Sequence, residues 1–135
     1  MREKGGGVLE GKPLALTFDE SIVSSRTYKP ENGECWLDVM ARARTFLNNI
    51  IDLYLFSKGE DTKKESSKCP KVLAVTHGGF IKEFVNVYRE IKGMGISEEI
   101  AKNTAIYIFY IESKNIDKQF TINMILENDN SHLNE

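Results

Sequence analysis

The sequence predicts an α/β fold in which buried strands are covered by helices on both faces of a sheet. Three observations predict it. A continuously apolar run at 71–75 leads straight into a glycine pair and an amphipathic helix. Two further strand-like runs follow at 105–111 and 120–126. A long helical pattern at 34–56 precedes all of them. Helices alternating with buried strands are the mark of this class. At 135 residues the chain has the size of one domain or part of one.

Residues 1–12 are charged and glycine-rich, and Gly5-Gly6-Gly7 cannot be a stable helix interior, so they read as a loop. Residues 13–29 hold Leu14, Leu16, Phe18, Ile22 and Val23, enough for a short helix or an irregular packed segment. Pro30-Glu31-Asn32-Gly33 is a turn signal. From Glu34 onward, Trp36, Val39, Met40, Ala43, Phe46, Leu47, Ile50, Leu53 and Tyr54 keep three-and-four spacing, which predicts one helix over 34–56. Glu34 and Asp38 sit near its start, where the helix dipole favours negative charge. Residues 57–68 contain no large apolar side chain beyond their flanks and read as a flexible loop.

The strand at 71–75, Lys71-Val72-Leu73-Ala74-Val75, is of the kind buried on both faces. After Thr76-His77-Gly78-Gly79, the spacing of Ile81, Phe84, Val85 and Tyr88 predicts a helix that ends near Gly93. Ser97 reads as the cap of a short helix. The run at 105–111 reads as a second buried strand. The alternation of Phe120, Ile122, Met124 and Leu126 reads as a third, joined to it by a hairpin connection over 112–119. The tail, 128–135, is polar.

Composition excludes several function classes. Lys and Arg number 18 and Asp and Glu 20, a net charge of −2, whereas nucleic-acid binding usually needs a basic face. No apolar run approaches the ~18 residues of a membrane helix, and the N-terminus has no signal-peptide core. The two cysteines, Cys35 and Cys69, make no disulfide scaffold and have no C-x-x-C spacing. The simplest compartment is a reducing one, the cytoplasm. With only His77 and His132 present, and His132 in the tail, zinc sites built on several histidines are excluded and any histidine chemistry passes through His77. No cofactor or metal is implied.

His77 falls at the carboxyl end of a predicted strand, where open α/β sheets bind ligands. Gly78 and Gly79 let backbone N–H groups approach a ligand, and the following helix aims its dipole at the same spot, which suits a phosphate. A capping or turn role for His77 is equally open. Glu3 and Glu10 flank the glycine-rich loop; either is a potential general acid or a solvated charge. Glu34 either reaches into a site or favours the helix start. Cys35 and Cys69 have no neighbouring base to activate them. Tyr107, Phe109 and Tyr110 read as core.

Taken together, these segments resemble the histidine phosphatase superfamily, with its phosphoglycerate mutase-like fold, and most closely its TIGAR-type fructose-2,6-bisphosphatase members. The likeness runs through Arg2-Glu3-Lys4 and Gly7-Val8-Leu9-Glu10-Gly11-Lys12, then Pro30-Glu31-Asn32-Gly33-Glu34 with Asp38 and Arg42. It continues through 72–79, Asn103-Thr104 and His132-Leu133-Asn134. The resemblance implies a three-layer sandwich and a phosphohistidine mechanism on a small phosphorylated metabolite. It implies Glu3 as general acid and His77 as the group that stabilises the phosphoryl. It places Gly78, Gly79 and Thr104 against the substrate or its phosphate.

The family's nucleophilic histidine lies in an Arg-His-Gly motif that these 135 residues do not contain, and Gly6 stands where relatives usually carry tyrosine. The expectation is that the chain is the C-terminal portion of a single such domain, incomplete by an N-terminal strand and helix. Loss of a central strand would expose apolar surface at 72–75 and leave the chain poorly stable or self-associating. A catalytically inactive phosphate-binding module and a phosphoglycerate mutase are the alternatives.

Overall fold

The computed structural model describes residues 1–12, 25–56, 70–114 and 119–133. Among these residues are two α-helices and a two-stranded antiparallel sheet, an α/β content. Helix α1 spans Trp36–Ile51, α2 spans Gly78–Ile91, β1 spans Ile106–Ser113 and β2 spans Phe120–Asp129. The expected flexible loop at about 57–69 and most of the ambiguous segment at 13–29 lie outside the described residues.

The chain divides into two units. The first comprises Met1–Arg44 and Thr76–Ala101. The turn at 30–33 forms as expected: the Gly33 N–H donates to the Pro30 carbonyl at 2.9 Å, with Asn32 at φ 58°. Residues 5–8 lie along it. The Val8 N–H donates to the Glu31 carbonyl at 3.0 Å and the Glu34 N–H to the Gly5 carbonyl at 2.9 Å. Gly7 has φ +56°, and a Cβ there would collide with the Glu31 carbonyl. Here only glycine meets both demands, the left-handed backbone and the close approach.

Helix α1 starts as its sequence requires. Asp38, in the first turn, accepts from the Cys35 N–H at 3.0 Å and pairs with Lys29 at 2.9 Å. Val39, Met40, Ala43, Leu47 and Ile51 form its buried stripe. The pattern predicted to run to 56 ends in a π-helical turn, Asp52–Phe56.

Helix α2 begins at Gly78 and ends before Gly93, which has φ +68° and stops it as predicted. Its buried face differs from the predicted one. Ile81, Phe84 and Tyr88 are half-buried, whereas Phe80, Lys82, Glu83, Val85, Asn86 and Val87 are buried. Three of those are polar, and each has a partner. Arg26 forks onto Glu83, Lys82 pairs with Glu98, and Asn86 both donates to the Ser97 carbonyl at 3.0 Å and accepts from its N–H at 2.8 Å. A hydrophobic period cannot show such a face, because its burial depends on partners distant in the chain. The Asn86 bonds also explain why no helix starts at Ser97: its backbone is already engaged.

The second unit comprises Thr45–Val75 and Lys102–Glu135. β1 and β2 pair antiparallel, with Tyr110 opposite Asn123 and Ser113 opposite Phe120. The register shifts twice between Ile106 and Phe109, and Asn128 sits in that irregular end at φ 49°. β1 is not the buried strand expected; exposed and half-buried residues alternate along it. Ile122 is fully buried, and the predicted alternation of β2 holds, with Asn123 and Ile125 exposed.

The segment at 71–75 departs furthest from its sequence reading. It has no strand partner among the described residues, and Leu73 and Val75 are 90% and 83% exposed. The only sheet among the described residues is the β1–β2 pair, and among them 71–75 does not join it.

Candidate active site at the amino end of helix α2

His77 is the N-cap of α2, with extended backbone at φ −102° and ψ 154°. Its carbonyl accepts the first helical bond, from the Ile81 N–H at 3.0 Å. Its ring makes no capping bond, and the first turn of α2 holds no acidic residue. The leading N–H groups of a helix have no acceptor within it, and the dipole there favours an anion.

The carboxylate that reaches this point comes from the N-terminal loop. Glu3 Oε2 lies 3.5 Å from His77 Nδ1, and both side chains are about half exposed. Glu3 Oε1 accepts from the Lys4 N–H at 3.2 Å. A Cβ on Gly79 would stand 2.5 Å from Glu3 Oε1 and 3.1 Å from the Trp36 ring. The bare backbone at 79 is what lets a carboxylate come so close to the helix end. Beside His77, the Thr76 hydroxyl oxygen is buried without a hydrogen-bond partner among the described residues. Buried hydroxyls ordinarily have one.

Around this pair the cations are arranged in order. Trp36 carries Lys4 Nζ at 5.2 Å and Lys82 Nζ at 4.6 Å from its ring centroid. Glu34 binds Arg42 at 2.9 Å and Arg2 at 3.1 Å. Burial pushes the Glu34 carboxyl up, but the Gly5 N–H, Arg42 and Arg2 together outweigh it and hold the group below the usual carboxylate range.

Of the residues singled out from sequence, Glu3, His77, Gly78 and Gly79 come together here. Thr104 belongs to the second unit, exposed in the turn before β1 with φ 60°. Glu10 folds back to accept from the Gly6 N–H at 2.9 Å and so closes its own loop. Cys35 is buried as a free thiol. Trp36 was legible only as a helix residue, whereas Arg42 was also one of the residues that carry the resemblance. The signal that connects them to the site is the pairing of Glu34 with Arg42, eight positions on.

Such an arrangement can do two things. An N–H-bearing imidazole and an open helix end can hold a phosphoryl oxygen. A neighbouring carboxylic acid can give a proton to a leaving oxygen.

No curated protein and no solved structure matches the chain. A family model does: histidine phosphatase superfamily (branch 1), over residues 1–122. That span takes in the loop with Glu3, the Glu34–Arg42 pair and the His77-Gly78-Gly79 turn, and the chain belongs to this superfamily.

Proposed function

We propose that this chain provides the acid and the phosphoryl-binding group of a histidine phosphatase that acts on a small phosphorylated metabolite, fructose 2,6-bisphosphate in the first instance. The observation that carries the reading is the Glu3 carboxylate set 3.5 Å from the His77 imidazole at a helix start whose cap residue makes no side-chain capping bond. Membership of the superfamily supports phosphatase or mutase chemistry in general. In this reading His77 and the Gly78–Gly79 backbone hold the phosphoryl group, and Glu3 protonates the leaving oxygen. The acceptor is a histidine in an Arg-His-Gly motif that these 135 residues do not include.

The test is phosphate release from fructose 2,6-bisphosphate and from phosphoglycerates by the chain joined to a segment bearing that motif. Glu3→Gln and His77→Ala are each expected to slow turnover by about 100-fold or more. Turnover that survives both replacements rejects the assignment. A second reading, an anion-binding module without turnover, rests on the start of α2, where His77 makes no side-chain capping bond and the first turn holds no acidic residue. Calorimetry of the chain alone with orthovanadate separates the two: binding lost in His77→Ala, with no phosphate released, is its signature.

A further inference from the structure

We infer that Glu34 and Arg42 are positioning residues for Glu3: they fix the loop on both sides of it so that its carboxylate stands beside His77. The inference rests on the phosphoryl-site reading above and concerns that same site.

The bonds converge on one short stretch of backbone. Glu34 Oε2 accepts from the Gly5 N–H at 2.9 Å. Arg42 forks onto Glu34, with Nε to Oε1 at 2.9 Å and Nη2 to Oε2 at 3.0 Å. The same guanidinium donates to the Arg2 carbonyl at 3.4 Å and the Glu3 carbonyl at 3.5 Å. Arg2 closes on Glu34 from the other side at 3.1 Å. So the carbonyls at 2 and 3 and the amide at 5 all tie into one ion pair.

The Glu34 side chain is 12% exposed, whereas that of Glu3 is 52% exposed. An exposed side chain keeps its place only if its backbone is held, and here the better-buried pair does the holding. Serving the helix start does not account for Glu34, because Asp38 takes that role through the Cys35 N–H. Arg42 is itself steadied by its position 5.6 Å over the Phe80 ring in α2. The ionisable groups around Glu3 are His77, Lys4, Arg2, Arg42, Glu34 and, across Trp36, Lys82.

The test is a double-mutant cycle with inorganic sulfate as probe, in the full chain. Trp36 is the single tryptophan, and its emission reports the titration. With Arg42 in place, Glu3→Gln is expected to tighten sulfate binding on the order of tenfold, because a like charge no longer competes for the helix end. In an Arg42→Met background the same replacement is expected to change affinity by no more than about twofold. Glu34→Gln, which keeps the side-chain volume, gives the same loss of coupling and decides the matter if Arg42→Met fails to fold by circular dichroism. A Glu3→Gln effect of equal size in both backgrounds assigns the pair a purely structural role and overturns the inference. If sulfate does not bind, or if Glu3→Gln changes nothing with Arg42 present, the phosphoryl-site reading itself fails and takes this inference with it.

Discussion

Glu3 and Gly79 are fitted to each other: the carboxylate occupies space that any side chain at 79 would claim, with Oε1 2.5 Å from where a Cβ would stand. Gly79→Ala therefore separates folding from site geometry. Alanine is the better helix former by about 0.5–1 kcal/mol, and the tip of an exposed glutamate yields easily. The melting temperature should stay within a few degrees, because the helix gain is set against crowding of the Trp36 ring, 3.1 Å from the new Cβ. The effect of Glu3→Gln on sulfate affinity should vanish in the alanine background, since Glu3 no longer rests at the helix end. Thermal melts and sulfate titrations check both halves, and an undiminished Glu3 effect contradicts the fit.

The Arg26–Glu83 pair governs stability within the first unit. Glu83 is fully buried, and Arg26 meets both its oxygens, at 3.0 and 2.5 Å. Hydrogen bonding to Glu83 raises the Arg26 pKa above its ordinary value. Arg26→Met strands a buried carboxylate and should destabilise by about 3 kcal/mol or more. Adding Glu83→Leu should restore much of that, because the loss comes from the uncompensated charge. Urea unfolding of the single and double variants reads it directly. A double variant no better than Arg26→Met alone would mean the pair is not the source.

Acid should loosen the start of α1. Lys29, and then the Cys35 N–H, hold the Asp38 carboxyl down at about 2, below the ~3.9 of an unfolded chain. The unfolded chain thus takes up the proton more readily. The contribution of Asp38 is present above about pH 4 and disappears as pH falls towards about 2. Urea midpoints measured across that window should fall less steeply in Asp38→Asn than in the unaltered chain. Parallel curves would remove Asp38 from the account.

The apolar segment at 72–75 should drive self-association. Leu73 and Val75 are 90% and 83% exposed, with Val72 close by at 45%. A segment with no strand partner among the described residues that bears β-branched and leucine side chains is a template for pairing with another chain. Sedimentation should show association that grows with concentration and that Leu73→Lys with Val75→Lys suppresses. A concentration-independent monomer with a reversible, sharp melt is the contrary result.

The legible parts of this protein were local. The spacing from Trp36 to Tyr54 specifies α1 almost to its end, and Gly93 marks where α2 stops. The alternation at 120–126 specifies the inward face of β2. The candidate site was half legible: a histidine before two glycines marked a turn that suits an anion or simply caps a helix, and resemblance attached Glu3 to it. The remainder was hidden for identifiable reasons. Ser97 resembles a helix cap until Asn86 takes both its backbone groups. Lys82, Glu83 and Asn86 look like a solvated face until Arg26, Glu98 and Ser97 meet them.

By itself, then, the sequence determined periodicity, turns and the residue types able to handle a phosphoryl group, because each depends on neighbours a few positions away. Tertiary structure decided which face of α2 is buried, that 72–75 has no strand beside it among the described residues, and that Glu34 and Arg42 secure the backbone around Glu3. Those outcomes depend on bonds between residues tens of positions apart. No local pattern encodes such a bond, since whether a charge is buried or solvated is settled only by the partner the fold delivers to it.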